Sequence, residues 1–486
     1  MNKENIETIL ELTPMQQGML YHSLYTDGDN PYVYQYASRL QGRLKAPPFI
    51  RAWRRVVDRH QILRASFFWK ESDKPLQVIS RTVELPVTQQ DWRHLAPAEQ
   101  EKRLESFFKE DRERGFDLGQ APLMRLSLIR LADEAQELIW TFHHILLDGW
   151  SVPLLLREIF IHYKAFSQHR KIQLPPPRAF GDFIAWLQKQ DLKKAESFWR
   201  RALAGVIAPT RLPFDGEDVE PVKPEVGYAA EVLYLSEATT SGLNELARRS
   251  RLTMSAFAQG AWALLLGRYS GRQDVVFGTV VSGRPPELEW AESIVGLLIN
   301  TLPTRARVDA GAGVIEWLQG MQAWQAEGRR YEYSPLALVQ GWSDVRRGTP
   351  LFESIVAFEN FPAESVSAED AGELKVVSAR SIEGNNYPLA LIVLPGRELG
   401  LTLVHNTQRF ARRNVSRLLG ELRETLEKII ADPTQTLAQL MPGLGRSVVE
   451  RQIEEKVSLL TPAERERILY GFNSTDFPFQ ADEVFP

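Results

Sequence analysis

The chain has 486 residues, of which 44% are hydrophobic and 25% are charged. This is the composition of a globular protein, and the length favours two lobes over one ordinary core. The net charge of −4 gives no electrostatic reason to expect a nucleic-acid partner. The chain contains no cysteine, which excludes disulfides, thiolate nucleophiles and cysteine-bound zinc and is compatible with a reducing cytoplasm.

Several common functional patterns are missing from the sequence. No apolar run reaches the roughly 18 residues that a membrane span needs, and the first residues lack an apolar signal core, so no membrane association is expected. The Gly-x-x-x-x-Gly-Lys-Ser/Thr phosphate loop is absent, which makes ATP use unexpected. The His-Glu-x-x-His zinc helix and the Gly-x-Ser-x-Gly nucleophile elbow are absent too, so no metal site is predicted. Nothing in the sequence implies a homo-oligomer.

The first predicted elements alternate between helix and strand. A helix is predicted to begin at Pro14, with Thr13 supplying the N-cap oxygen. A strand is predicted at 32–40, and a second strand at 63–69. Between these strands, the apolar residues of an amphipathic helix fall on one stripe. The residues of this stripe are Ile50, Trp53, Val56 and Val57.

The most informative segment has the pattern His-His-x-x-x-Asp-Gly at 143–149. It follows a predicted strand at 138–142 and precedes a predicted helix that begins near Val152, for which Ser151 is a natural N-cap. Since successive side chains of a strand point to opposite faces, the two histidines cannot face the same cavity. We therefore expect one catalytic imidazole and one packed, hydrogen-bonded support.

The second half of the chain repeats the succession of the first half. A strand is predicted at 228–235, helices at 236–250 and 255–266, and another strand at 274–281. The apolar run at 294–302 is predicted to be a buried strand. The similarity of the two halves is weak by sequence alone, yet it indicates two α/β lobes.

Motifs along the chain resemble those of condensation domains of nonribosomal peptide synthetases, in the superfamily of CoA-dependent acyltransferases. The second motif, Arg-His-x-x-Leu-Arg-x-x-Phe at 59–67, matches nearly letter for letter, and 143–149 resembles the family's active-site motif. The seven motifs stand in the family's order at residues 12–22, 59–67, 143–149, 180–186, 294–305, 333–336 and 386–389.

The resemblance implies a fold and a domain organisation. The fold is α/β, with two chloramphenicol-acetyltransferase-like lobes in a V-shaped pseudo-dimer and the active site in the tunnel between them. We expect the first lobe at 1–173 and the second at 174–445, separated by the proline-rich joint at 174–178. Residues 446–486 resemble a linker towards a downstream adenylation domain.

The resemblance also implies an activity, which is amide formation between two thioesters that upstream and downstream carrier proteins bear on 4′-phosphopantetheine arms. The domain itself is expected to bind no cofactor. His144 is the expected catalytic residue, either as a general base or as a group that positions the amine and stabilises the tetrahedral intermediate. Asp148 is expected to hold the loop through a bidentate pair with an arginine, for which Arg64 is the candidate, and a second partner elsewhere stays open. The residues expected to support the active site are His143, Asp148, Gly149, Ser151 and Arg64.

Three alternatives share this fold. An epimerisation domain typically carries a Glu-Gly-His-Gly-Arg-like segment, whereas the corresponding segment at 382–386 lacks the histidine. A free-standing CoA-dependent acyltransferase is disfavoured by the linker-like segment, and a catalytically silent docking domain is disfavoured by the intact motif at 143–149. Within condensation domains, the motifs at 12–22, 143–149 and 294–305 resemble the D-to-L subtype, which follows an epimerisation domain.

Overall fold

The computed structural model describes residues 3–25, 32–70, 74–216, 227–360, 374–382 and 386–444, so the predicted linker at 446–486 lies outside the described residues. The strands within these ranges are β1 (Ile6–Glu11), β2 (Val33–Gln41), β3 (Ala65–Phe68), β4 (Leu76–Ser80), β5 (Val87–Asp91), β6 (Met124–Ala132), β7 (Ala135–His143), β8 (Tyr228–Tyr234), β9 (Asp274–Val281), β10 (Asn300–Arg307), β11 (Ser354–Phe358), β12 (Lys375–Ile382), β13 (Leu389–Leu394) and β14 (Gly400–Asn406).

Helices pack on both large sheets of the molecule. Those in the described part of the chain are α1 (Pro14–Tyr25), α2 (Ala46–Arg59), α3 (Pro97–Glu113), α4 (Ser151–Ser167), α5 (Phe180–Leu187), α6 (Leu192–Ala202), α7 (Glu237–Ser250), α8 (Met254–Ser270), α9 (Val314–Arg329), α10 (Leu336–Trp342), α11 (Arg412–Ala431) and α12 (Leu437–Leu440). None of them is both long and apolar enough to cross a membrane.

The first lobe is built on a mixed sheet in the order β12-β2-β7-β6-β5. In this sheet β5 and β6 are parallel, and the other neighbours are antiparallel. The central strand β7 is buried on both faces, because Trp140 packs into the main core of the lobe while Ile139 packs into a smaller core beside α3. Strand β7 thus ends at His143 in a rigid position that is covered on both faces, and His144 follows directly.

The second lobe is built on a sheet in the order β10-β9-β11-β13-β14-β8. Strand β11 runs parallel to both β9 and β13, and the remaining pairs are antiparallel. Alternate residues of β9 enter cores on opposite faces of this sheet, since Phe277 packs on one side and Val276 on the other. The α/β fold with two lobes predicted from the sequence is therefore confirmed.

Three segments from beyond residue 173 pack with the first lobe. Helix α5 contributes Phe180, Phe183 and Ile184 to its core. Strand β12 pairs antiparallel with β2 along the edge of the first sheet. The apolar residues of segment 294–298, which includes Ile294 and Leu297, are buried in the core of the first lobe. The second half of the chain therefore completes the first lobe, and a division at 173 does not separate the two cores.

Most predicted elements occur where the sequence places them. Thr13 caps α1, since its Oγ1 accepts the backbone N–H of Gln16 at 3.1 Å. Strand β9 has the predicted bounds. The prediction of a buried strand at 294–302 is wrong in part, because the segment is buried but the strand begins only at Asn300. Residues 294–299 instead form the loop that crosses to the first lobe. They are apolar because they are buried in the core of that lobe, and they belong to no strand.

Candidate active site between the two lobes

The loop that follows β7 is a succession of tight turns. The backbone N–H of His144 donates to Tyr32 O at 2.8 Å, which continues the pairing with β2 by one residue. Leu146 N–H then donates to His143 O at 3.1 Å, and Leu147 N–H donates to His144 O at 3.2 Å. These bonds satisfy the backbone groups of a buried loop and fix where its side chains point.

The two histidine rings lie in different environments. His143 is fully buried, and its Nδ1 accepts the Ile145 N–H at 3.1 Å. This bond assigns the ring proton to Nε2, which lies 3.2 Å from the hydroxyl of Ser23. Burial, assisted by the neighbouring His144, lowers the pKa of His143 to about 3, so the ring is neutral at ordinary pH. His143 is thus a packed, hydrogen-bonded group.

His144 faces a large cavity. Its side chain lines that cavity, and its ring stands edge-on to the ring of Tyr34 with 6.0 Å between the centroids. The opposite placement of the two rings agrees with the period of two in a strand. The catalytic role of His144 itself remains a prediction.

The cavity has a volume of about 2520 Å³ and is lined by residues of both lobes. It is large for a small-molecule site, since such pockets usually measure about 300–1,000 Å³. A space of this size suits two long substrates that meet end to end. Polar and aromatic residues that line it include Tyr34, Tyr36, His144, Trp150, Gln259, Thr279, Asn300, Glu332 and Tyr387.

Asp148 pairs with Arg284, and the predicted pairing with Arg64 is wrong. Arg284 Nη1 donates to Asp148 Oδ2 at 2.9 Å, and Nη2 donates to Oδ1 at 3.1 Å. The side chains of Asp148 and Arg284 are 0% and 2% exposed. Leu298 N–H adds a bond to Oδ2 at 3.0 Å. The bidentate pair therefore fastens the loop of the first lobe to residues of the second half of the chain.

Arg64 is occupied elsewhere. It ends a short 3₁₀ turn before β3, where Nη1 donates to Glu7 Oε2 at 2.5 Å and to the carbonyl oxygens of Ser80 and Arg81. Arg64 is buried beside β1 and β4, and its bonds stabilise the small sheet β1-β4-β3. The structure thus gives Arg64 no contact with the motif at 143–149.

Ser151 is the first residue of α4 and is not its N-cap, so this part of the prediction is wrong too. The N-cap residue is Trp150, which makes no side-chain capping bond. The Ser151 hydroxyl lies 2.7 Å from Asp148 Oδ1 and accepts the Gly296 N–H at 3.0 Å. Its role is therefore a second link between the loop and segment 294–298.

Gly149 lines the cavity between Asp148 and Trp150. The indole N–H of Trp150 donates to Glu292 O at 3.0 Å, and the Arg284 guanidinium lies 5.2 Å from the centroid of the indole. These contacts fix the Trp150 side chain directly after Gly149. His144 and Gly149 therefore lie in one loop on the cavity wall, and Ser151 follows as the first residue of α4.

Sequence reasoning did not identify Arg284. A signal existed, because Ser-Gly-Arg-Pro at 282–285 directly follows the predicted strand β9. Gly283 has a φ of +61°, and a Cβ at this position would lie 1.7 Å from Leu298 O. Only glycine allows this approach, which brings Arg284 against segment 294–298 and within reach of Asp148.

Glu332 is an ionisable cavity residue that sequence reasoning also missed. Burial raises the pKa of its carboxyl to about 7, and Glu287 contributes in the same direction against the opposing effect of Arg329. Asn300 holds the backbone in place, because its Nδ2 donates to Glu332 O at 2.7 Å and to Ser334 O at 2.8 Å. The second lobe therefore presents a carboxyl that changes charge near neutral pH.

The family model described as the condensation domain matches residues 6–442. The chain belongs to the condensation-domain family. The resemblance drawn from the seven motifs is thereby confirmed, and the matched range includes every residue of the candidate site.

Similar proteins are components of peptide synthetases. One of the linear gramicidin synthase proteins of Brevibacillus parabrevis is 42% identical over 479 residues, which cover 99% of this chain and 9% of that protein. Surfactin synthase subunit 3 of Bacillus subtilis (strain 168) is 30% identical over 489 residues, which cover 100% of this chain and 36% of that protein. The chain therefore spans about a tenth to a third of the length of these relatives.

Solved structures share the fold. The starter condensation domain of rhizomide synthetase aligns with a TM-score of 0.74 and 20% identity, over 88% of this chain and 96% of that one. The first condensation domain of the calcium-dependent antibiotic synthetase, solved with a substrate analogue, aligns with a TM-score of 0.72 and 18% identity, over 89% of this chain and 99% of that one. At these identities the likeness establishes the two-lobed architecture.

Proposed function

We propose that the chain forms an amide bond between two carrier-bound substrates. The donor is an aminoacyl or peptidyl thioester, and the acceptor is the α-amine of an aminoacyl thioester. Membership of the condensation-domain family and similarity to synthetases of linear gramicidin and surfactin support this function. The observation that carries it is the position of His144 on the wall of a cavity that both lobes line.

The reaction needs no cofactor within the chain. The amine nitrogen attacks the thioester carbonyl carbon, a tetrahedral intermediate forms, and the C–S bond breaks as the donor arm leaves. The proton lost by the amine goes to the leaving thiolate. Because a thioester is already activated, neither ATP nor a covalent enzyme intermediate is required, and holding both substrates in one cavity supplies much of the acceleration.

His144 is proposed to act on the amine in one of two ways. As a general base it takes the proton of the attacking amine, for which an imidazole is suited near neutral pH. Alternatively it holds the amine and donates a hydrogen bond to the developing oxyanion. The turns after β7 and the buried Asp148–Arg284 pair support either role, because both require a ring that is held in place.

The partners proposed for the chain are an upstream donor carrier protein, a downstream acceptor carrier protein and a downstream adenylation domain. Each carrier bears its substrate on a 4′-phosphopantetheine arm. We also propose the D-to-L subtype, in which a donor ending in a D-residue is joined to an L-amino acid. The resemblance of the motifs at 12–22, 143–149 and 294–305 supports this subtype.

The test is a condensation assay with both carrier proteins loaded, in which the wild-type chain is compared with His144→Ala. We expect the variant to lose about 10²–10⁴-fold in rate, the usual effect of removing a general base. His94→Ala is the matched control, because His94 is an exposed histidine. Equal rates for His144→Ala and the wild type would refute the assignment.

The same assay separates the alternatives. An epimerisation domain would convert the donor stereocentre without forming an amide, and chiral analysis of the released donor detects this. A docking domain without activity would do neither. The absence of a histidine from the segment at 382–386 favours condensation over epimerisation.

A further inference from the structure

Five polar side chains form a connected group on the second-lobe wall of the cavity. We name this group the polar cluster, and its members are Ser255 and Gln259 of α8, Thr279 of β9, Thr304 of β10 and Gln325 of α9. All five line the cavity. Gln259 and Thr304 are 3% and 2% exposed, so these polar side chains are buried in the second lobe.

The hydrogen bonds of the polar cluster have a defined direction. Thr279 donates to Gln259 Oε1 at 2.9 Å, so its oxygen must accept the hydrogen of Thr304, which lies 2.7 Å away. Gln325 Nε2 also donates to Gln259 Oε1, at 2.5 Å, and Gln259 Nε2 donates to Ser255 Oγ at 2.8 Å. A single acceptor oxygen at the centre therefore organises the polar cluster.

These bonds leave part of the hydrogen-bonding capacity available to a ligand. Each amide nitrogen carries two hydrogens, and the bonds within the polar cluster use one hydrogen of Gln259 and one of Gln325. The oxygen of Thr304 retains acceptor capacity, as does Oε1 of Gln325. The polar cluster thus offers both donors and acceptors to a molecule in the cavity.

The position of the polar cluster is set by β9. On the face of β9 that packs against the helices, Val275 and Phe277 belong to the apolar core, and Thr279 is the next residue of that face. Ser282 directly follows the strand, in the loop that carries Arg284 to Asp148. Three residues of strand separate Thr279 from Ser282, or about 10 Å. The polar cluster is therefore displaced from the reacting centre along the cavity.

We propose that the polar cluster binds the amide groups of a pantetheine arm that lies in the cavity. This inference rests on the proposed function, which supplies the ligand. A pantetheine arm carries two secondary amides, each with one donor and one acceptor, and its reactive thioester is at the end. A subsite displaced from the His144 loop contacts the arm while the thioester reaches the loop.

Both substrates would bring the same arm, so the chemistry is shared by donor and acceptor. The polar cluster is the specificity element for the arm in either case, because an apolar wall of the same shape would leave the amides without partners. A buried amide that loses its hydrogen bonds is costly, and this cost favours pantetheinyl substrates over simple thioesters.

The experiment compares two forms of each substrate, a pantetheine thioester and an alkyl thioester without amides, while the other substrate stays on its carrier. The measured quantity is the ratio of kcat/KM for the two forms. The isosteric variant Thr279→Val removes the bonds that position Gln259 and Thr304. We expect it to lower this ratio by about two- to tenfold, the effect of one hydrogen bond to the arm that these misplaced groups no longer make. The substrate whose ratio falls identifies the arm, donor or acceptor, that the polar cluster binds.

Controls keep the inference separate from folding and from the proposed function. Thr425→Val on α11 removes a buried hydroxyl that donates to Glu421 O, and it should leave the ratio unchanged. Gln325→Leu, at a half-buried position, is a second variant should Thr279→Val fold poorly. Binding of S-methylpantetheine, followed by saturation-transfer NMR, tests the polar cluster without turnover.

Each outcome has a distinct meaning. An unchanged ratio and unchanged S-methylpantetheine binding in both variants would overturn the inference, as would an equal loss with pantetheinyl and alkyl thioesters. A wild-type chain that forms no amide from any substrate would refute the proposed function instead. In that case weaker binding of S-methylpantetheine by Thr279→Val supports the polar cluster, and equal binding overturns it.

Discussion

Removing Arg284 should destabilise the fold by leaving the carboxylate of Asp148 buried without its counter-charge. Asp148 accepts five hydrogen bonds, two from Arg284, two from Ser151 and one from Leu298. Arg284→Met keeps much of the side-chain volume and removes the bidentate pair together with the bonds that Arg284 donates to Ser282 O and Ile294 O. The three remaining donors are neutral, so they cannot replace the charge.

The expected loss is about 3–5 kcal/mol, the usual cost of breaking a buried ion pair by removing one partner. The loss of unfolding free energy in Asp148→Asn should lie in the same range. The amide nitrogen of asparagine would face a hydrogen-bond donor in place of the oxygen that accepts from it. The double variant should lose less than the sum of the single variants, since neither charge is then left alone. Urea unfolding followed by circular dichroism and tryptophan fluorescence measures each free energy.

A matched control is the ion pair between Arg200 and Glu196, whose side chains are 56% and 38% exposed. Arg200→Met should cost about 0–1 kcal/mol, because solvent screens an exposed pair. An unfolding midpoint for Arg284→Met that coincides with that of Arg200→Met would refute the reasoning. Additive losses in the Asp148→Asn/Arg284→Met double variant would likewise show that the two side chains do not depend on each other.

Three further outcomes follow from the site. His143→Ala should lower the unfolding free energy by about 2–4 kcal/mol, because it leaves a cavity in the core. This variant should still retain far more condensation activity than His144→Ala. An equal loss of activity, at a temperature where both variants are folded, would show that His143 takes part in the reaction. The unfolding free energy of the wild type relative to Glu332→Gln should fall by about 3 kcal/mol between about pH 4.5 and 7, because the folded chain keeps Glu332 protonated while the unfolded chain releases the proton; urea titrations of both proteins measure this difference, and a difference that does not change with pH would contradict it. In competition between carrier-bound donors that differ only at the terminal α-carbon, the D-configured donor should be consumed faster; preference for the L-donor would overturn the subtype.

The parts of the site that could be predicted depend on local geometry. Alternation along β7 separates the environments of His143 and His144 because a period of two holds for any strand, whatever packs against it. The cap at Thr13 follows from the residues of one helical turn. The same reasoning could find the loop at 143–149 but could not place it against the other lobe.

The parts that could not be predicted depend on contacts between distant segments. Arg64 and Arg284 are both buried arginines. Asp148 pairs with Arg284, which lies 136 positions later in the chain, because the loop around Gly283 brings it close. The pairing of β12 with β2 joins strands that are more than 300 positions apart. Hydrophobic periodicity contains no information on such pairings, because each strand would bury the same faces against another neighbour.

The position of His144 depends on the second half of the chain as much as on its own motif. Several hydrogen bonds tie its loop to the segment at 282–298, and they include those of Asp148 with Arg284, Ser151 with Gly296, and Trp150 with Glu292. The apolar residues at 294–298 of this segment are buried in the core of the first lobe. A motion that opens the cavity by separating this segment from the loop must break a buried ion pair, at a cost of about 3–5 kcal/mol. Any rearrangement of the lobes that admits substrates must therefore carry this segment with the first lobe and bend the chain near its connections to β9 and β10.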